Sequence, residues 1–259
     1  MKQVWVTALA KDEARIAQVA ATLKRYGIAA QGHVWLDEPD KAVARVVLDA
    51  MQAADAWIVL VDEATLAKPS VRYGLSLLYA SLQASRGAAP PVLFLTASGD
   101  TVPPPLFAGA LTFADRNAAW PAKLVAALAR APKQAPLAAL GGYRLTLWGD
   151  ENIGQWFEIG SLEGPLAGFA FGVPRSDEVS IDFQAVGARG ALPAKTTLEY
   201  AQEGLRMQIG GTDYVSWAVR NAIGPDDSYF VRVRGCPATL LLMPYPEGDD
   251  VEATIVRLG

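Results

Sequence analysis

The hydrophobic rhythm of this chain changes once, near residue 140, and that change constrains the fold more than any other feature. Before it, short apolar runs alternate with stripes of helical period. Val4-Trp5-Val6-Thr7-Ala8-Leu9 reads as a buried strand. Lys11 to Tyr26 places Ile16, Val19, Ala20 and Leu23 at helical spacing, and Gly27 ends the stripe. His33-Val34-Trp35-Leu36 reads as a short strand, and Pro39 opens a helix to about Ala53 with Val43, Val46, Val47 and Ala50 on one face. Ala56-Trp57-Ile58-Val59-Leu60-Val61 is apolar throughout, as in a strand covered on both faces. A helix is expected over Ser70 to Ser85, from the period of Leu75, Leu78 and Leu82. Strands follow at Val92-Leu93-Phe94-Leu95 and Leu111-Thr112-Phe113, and Asn117 is placed to cap a last helix to about Arg130. Five strands alternating with helices predict a parallel, doubly wound five-stranded sheet.

After the change the period is two. Tyr143–Trp148, Gln155–Ile159, Phe169–Val173, Val179–Phe183, Thr196–Tyr200, Leu205–Ile209, Tyr214–Val219, Tyr229–Val233, Thr239–Met243 and Val251–Val256 are short alternating runs separated by turn residues. Gly210-Gly211 between two of them is a hairpin signal. Such a series predicts an antiparallel β-sandwich or barrel. Between the two patterns, Ala131-Pro132-Lys133-Gln134-Ala135-Pro136 and Gly141-Gly142 mark a linker. The expected division is an α/β domain over 1–131, a linker over 132–142 and an all-β domain over 143–259, each folding by itself.

Composition removes several function classes. Hydrophobic residues at 51% support real cores, and charged residues at 19% exclude a wholly disordered chain. A net charge of −4 and a pI of about 5.1 speak against a nucleic-acid partner. The charge is uneven, +2 over residues 1–130 and −6 over 131–259. One cysteine, Cys236, excludes a disulfide framework and Cys-rich metal sites, and one histidine, His33, excludes His pairs for zinc, so no metal is expected. No apolar run is long enough for a membrane span, and the N-terminus does not read as a signal peptide. These features predict a cytoplasmic protein of a reducing compartment.

The first half resembles a bacterial Toll/interleukin-1 receptor (TIR) domain over residues 2–130. The residues that carry the resemblance are Val6-Thr7-Ala8-Leu9-Ala10-Lys11-Asp12-Glu13 at the first strand and helix, Val34-Trp35-Leu36-Asp37 at the second strand, and Val59-Leu60-Val61-Asp62-Glu63-Ala64-Thr65-Leu66-Ala67 after the third. They continue with Lys68-Pro69-Ser70-Val71-Arg72-Tyr73-Gly74-Leu75 and with Pro103-Pro104-Pro105-Leu106. The resemblance implies a TIR, flavodoxin-like sheet. The candidate ligand contacts are Ala8, Trp35, Ser70, Arg72 and Tyr73, of which Arg72 and Tyr73 either clamp or stack on a ligand or form a helix surface covered by a partner. The second half carries no resemblance.

NAD-cleaving members of that family use a glutamate on this helix, and Gly74 stands in its place. Breaking an N-glycosidic bond needs a carboxylate beside the developing oxocarbenium ion, which glycine does not supply. The first half therefore reads as a catalytically degenerate TIR-like fold, a pseudoenzyme without a bound cofactor. A displaced carboxylate is the alternative, with Asp37, Glu38, Asp62 and Glu63 as candidates at the carboxyl edge of the sheet; as turn and capping acids they have a structural explanation too. No Gly-rich phosphate fingerprint is present. His33 reads as a strand-edge residue rather than a base, and Cys236 as an inert thiol. Trp148, Trp156, Trp217, Tyr143, Tyr200, Tyr214 and Tyr229 are either core or a stacking platform. Glu247-Gly248-Asp249-Asp250 reads as a solvated turn.

Two functions follow. In the first, the TIR-like half signals or assembles through a protein partner or through self-association, and the β-rich half binds a ligand or protein; the resemblance sets this in bacterial defence. The alternative is an NAD nucleosidase that uses a displaced carboxylate.

Overall fold

The computed structural model describes residues 1–37, 48, 50–88, 90–130, 138–150, 152–247 and 251–259. The apolar runs of the first half form β1 (Gln3–Ala8), β2 (Ala29–Val34), β3 (Ala56–Leu60), β4 (Val92–Thr96) and β5 (Leu111–Ala114). All pairings are parallel, in the order β2-β1-β3-β4-β5. Every residue of β3 and β4 is buried, because helices cover both faces of the sheet. On one face, α1 (Glu13–Arg25) and α4 (Trp120–Ala129) bury Val19, Leu23, Trp120 and Leu124 against Val4, Ile58 and Leu93. Asp12 caps α1 by accepting from the Arg15 amide at 3.0 Å.

The other face carries α3 (Pro69–Arg86), which follows the single turn α2 (Glu63–Leu66). Twelve of the 18 residues of α3 are buried, too many for a helix with one solvated side. Its second side is taken by the β-rich half. Ser76 Oγ donates to the Leu258 carbonyl at 2.7 Å, and Ser81 Oγ accepts from the Leu147 amide at 3.1 Å. The latter bond covers the open edge of a strand with a helix. One hydrophobic cluster therefore runs from Trp57, Phe94 and Phe107 through Leu75 and Leu78 to Leu145, Phe157, Phe171 and Leu240.

The second half is an antiparallel β-sandwich. One sheet has the order β6-β7-β12-β9, from β6 (Tyr143–Asp150), β7 (Gly154–Ser161), β9 (Ser180–Ala188) and β12 (Asp227–Arg234). The other has the order β10-β11-β8-β13-β14, from β8 (Phe169–Pro174), β10 (Gln202–Ile209), β11 (Thr212–Val219), β13 (Thr239–Pro244) and β14 (Thr254–Arg257). Gly210 and Gly211, at φ +59° and +80°, make the expected β10–β11 hairpin turn, which needs left-handed backbone at both positions.

Three local expectations are corrected. Thr196–Tyr200 is not a strand: the Thr196 hydroxyl bonds the Val186 amide and carbonyl, and Asn221 holds Glu199 and Thr197, so side chains satisfy this backbone instead of a ladder. The second strand lies earlier than expected and ends at Val34, although the Trp35 amide still donates to the Ala8 carbonyl at 2.8 Å. Asn117 accepts from the Ala119 amide in the turn before α4 and does not cap the helix itself. The helix expected from Pro39 falls largely outside the described residues; Leu48, Ala50 and Met51 are helical.

The β6-β7-β12-β9 sheet also buries an ion pair, on the face turned away from the second sheet. Arg144 and Glu158 are each 2% exposed, with Nη1 and Oε1 at 3.3 Å. Ser228 Oγ donates to Glu158 Oε1 at 2.7 Å and accepts from Arg144 Nη1 at 2.8 Å. The Gly190 amide and Trp148 Nε1 also donate to Glu158, and Arg144 Nη2 donates to the Asp227 carbonyl. Gly160 leaves room for the guanidinium, since a Cβ there would stand 2.3 Å from Arg144 Cζ.

Candidate functional site

Parallel strands bring their carboxyl ends to one edge, where α/β folds hold ligands. At this edge lie Asp37 after β2, Asp62 and Glu63 after β3, Ser98 and Thr101 after β4, and Asp115 after β5. Arg15 of α1 ties the ends of β3, β4 and β5 together. Its Nε and Nη2 take the two oxygens of Asp115 at 2.7 and 3.0 Å, Nη1 donates to the Val61 carbonyl at 2.6 Å, and Nη2 also donates to the Leu95 carbonyl at 2.8 Å.

Each described candidate carboxylate already has a local partner. Asp37 accepts from Ser70 Oγ at 2.8 Å and from Lys68 Nζ at 3.2 Å, tying the end of β2 to the start of α3. Asp62 caps α2 by accepting from the Thr65 amide at 2.9 Å and hydroxyl at 2.7 Å. Those two bonds hold the Asp62 pKa below its ordinary value, so it stays ionised and is a poor proton donor. Glu63 accepts from Ser98 Oγ at 2.8 Å and lines an open groove of about 290 Å³ with Arg72, Ser98 and Thr101. Glu38 lies outside the described residues.

The five candidate ligand contacts separate into two sets. Ser70 and Arg72 are at the edge, with the Arg72 guanidinium donating to the Val102 and Pro103 carbonyls at 3.1 and 3.3 Å. Ala8, Trp35 and Tyr73 are buried. The Tyr73 hydroxyl is sealed near Gln155 without hydrogen-bond geometry, and burial pushes its pKa well above the ordinary tyrosine value. The Trp35 indole lies against Gly74, where a Cβ would come within 2.7 Å of Cζ2. The space beside Gly74 is thus filled by an aromatic ring.

His33 sits beside that ring. It accepts at Nδ1 from Trp5 Nε1 at 3.0 Å, and its ring centroid is 5.8 Å from Trp5 and 6.2 Å from Trp35. Burial lowers its pKa to about 4, so it is neutral at physiological pH. The proline loop turns inward: Phe107 stacks on Tyr79 at 4.4 Å and meets Trp57 and Phe94 edge-on. Leu36 and Val102, beside the start of α3, stay 62% and 75% exposed. Of the second half's aromatics, Tyr143, Tyr214 and Tyr229 are core, Tyr200 is exposed, and Trp156 lies on an outer face beside Phe183. The Arg15 lock went unforeseen in the sequence, because its acceptors come from three strands remote in the chain.

Among the described residues no group of three or more His, Cys, Asp or Glu is placed to hold a metal, and no helix is long and apolar enough to cross a membrane. The molecule is a doubly wound, flavodoxin-like parallel sheet followed by an antiparallel β-sandwich. No family model matches the chain, and no curated protein matches it. Among solved structures it is similar to an NAD kinase from Archaeoglobus fulgidus in complex with ATP, at 11% identity over 97% of this chain and 76% of that one, with a TM-score of 0.28. Nothing is transferred to the site from a likeness at that level.

Proposed function

We propose that the chain is a catalytically degenerate TIR-like module that works by association, joined to a β-rich half that binds a ligand or protein, in a bacterial defence setting. The observation that carries this reading is Trp35 on Gly74: a side chain at the glutamate position has no room without displacing the indole. The contact surface in this reading is the carboxyl edge, where Leu36 and Val102 are exposed and flank the start of α3. Since α3 is buried against both halves, a partner seated at its first turn bears on the sandwich through Ser76 and Ser81.

Sedimentation of the full chain over a concentration series tests the reading. The expected result is concentration-dependent association that Leu36→Asp with Val102→Asp removes. A chain that stays monomeric at every concentration argues against self-association and turns the search to a hetero-partner. The second reading, an NAD nucleosidase, rests on Glu63 facing the 290 Å³ groove. It requires nicotinamide release that Glu63→Gln abolishes.

A further inference from the structure

The outer face of the β6-β7-β12-β9 sheet holds two arginines in an arrangement that structural pairing alone does not explain. Arg232 and Arg234 are alternate residues of β12 and share a face. Each donates its Nε to a different oxygen of one carboxylate, Asp182 of β9, at 2.6 and 2.7 Å. A single carboxylate thereby brings two like charges side by side. Its own burial opposes ionisation, but the bonds from the two guanidiniums outweigh that and hold its pKa below the usual aspartate value. With Nε engaged, the terminal Nη groups of both arginines are left without a hydrogen-bond acceptor among the described residues. They carry the donors that match a tetrahedral anion. Arg234 is 75% exposed and Arg232 34%, so solvent reaches both.

An aromatic pair stands next to the arginines. Trp156 of β7 and Phe183 of β9 are opposite Arg232 in register, on either side of it. Their ring centroids are 5.4 Å apart in an edge-on arrangement, and the Arg232 guanidinium carbon lies 5.5 and 5.6 Å from them. These contacts fix the Arg232 side chain before any ligand arrives. Phe183 remains 45% exposed, which leaves ring surface for a planar group.

We propose that Arg232 and Arg234 form an anion clamp that, with the Trp156 and Phe183 rings, binds a nucleoside phosphate. The phosphomonoester offers three oxygens and up to two charges to two guanidiniums whose net charge with Asp182 is +1, whereas a carboxylate offers two oxygens and one charge. The base takes the aromatic surface, since stacking suits any base with a π-face. This gives the ligand class for the binding role of the β-rich half and rests on that part of the proposed function. It does not depend on the carboxyl edge of the first half.

Titration calorimetry of the full chain with AMP, adenosine and inorganic phosphate at low salt tests the clamp. AMP should bind more tightly than either fragment. Arg234→Gln, at a position exposed enough to leave the fold alone, should weaken AMP about tenfold through loss of a charge-assisted bond. Phe183→Ala should weaken AMP by a larger factor than it weakens inorganic phosphate. Asp182→Asn should also weaken AMP, because it releases both side chains. Unfolding curves matching the parent confirm that each variant is folded. AMP binding that is absent, no tighter than inorganic phosphate, or unchanged in Arg234→Gln overturns the proposal. Because association is read by sedimentation with Leu36 and Val102 variants, either idea can fail without the other.

Discussion

The Trp35 indole occupies the space that a side chain at Gly74 would need, with Cζ2 only 2.7 Å from where a Cβ would stand. Glycine inside a helix gives up about 1 kcal/mol of propensity against alanine, and this contact explains its presence in α3. Gly74→Ala should therefore destabilise the protein by about 1–3 kcal/mol, the range for overpacking a core, despite the gain in helix propensity. Gly74→Glu should destabilise it further and release no nicotinamide from NAD. Urea unfolding of both, with Trp35→Phe in the Gly74→Ala background as a rescue, checks the steric origin. Equal stability of Gly74→Ala and the parent would sink it.

His33 is the only histidine in the chain, so its titration can be followed by NMR without ambiguity. Burial lowers its pKa from 6.5 to about 4, and a folded pKa below the unfolded one means that protonation favours the unfolded chain. Its contribution to stability is complete above about pH 6.5, declines as the pH falls toward about 4, and does not change further below that. An imidazole that titrates near 6.5 in the folded protein refutes this. His33→Phe should flatten the stability profile across that window.

The Arg144–Glu158 pair is buried and closed by Ser228, Gly190 and Trp148, so removal of one partner strands a charge. Arg144→Met should cost about 3–5 kcal/mol by denaturant unfolding, and Arg144→Met with Glu158→Leu should recover much of it. Gly160→Ala should also destabilise, because the added methyl meets the guanidinium. A loss below about 1 kcal/mol for Arg144→Met, the scale of an exposed pair, would contradict the buried geometry.

The shared cluster between the halves predicts an outcome for proteolysis. Cleavage should concentrate in the Pro/Gly stretch 131–142, yet the two pieces should co-elute in native gel filtration, because Leu75 and Leu78 of α3 are fully buried in a cluster that continues to Leu145 and Phe157. Expressed alone, residues 1–131 should aggregate, since they expose that face of α3 to water. Clean separation into two folded, monomeric fragments would show that the interface is weaker than its burial implies.

Much of the secondary structure was legible because its signals are local. The apolar run Ala56–Val61, the 3.6 period of Leu75, Leu78 and Leu82, and Gly210-Gly211 each act within a few residues, and β3, α3 and the β10–β11 hairpin follow from them. The failures were also local signals, overridden from a distance. Thr196–Tyr200 alternates like a strand, but Thr196 and Asn221 take up its backbone bonds. Of the site, the placement of Asp37, Asp62 and Glu63 at one edge was readable from strand order, and their partners Ser70, Thr65 and Ser98 were not.

The sequence by itself determined the two periodicities, the place where one gives way to the other, and the absence of a carboxylate at position 74. Tertiary structure decided that an indole packs against that position, because Trp35 reaches Gly74 across 39 residues only after β2 is laid beside β1 and α3 packs on the sheet. It likewise decided that α3 has no solvated side, that Arg144 is buried against Glu158, and that Asp182 collects Arg232 and Arg234 from a strand fifty residues on. A periodic pattern records which face of an element is apolar. It carries no record of which other element that face will meet, and contacts between distant residues are set by the order of strands in the sheet.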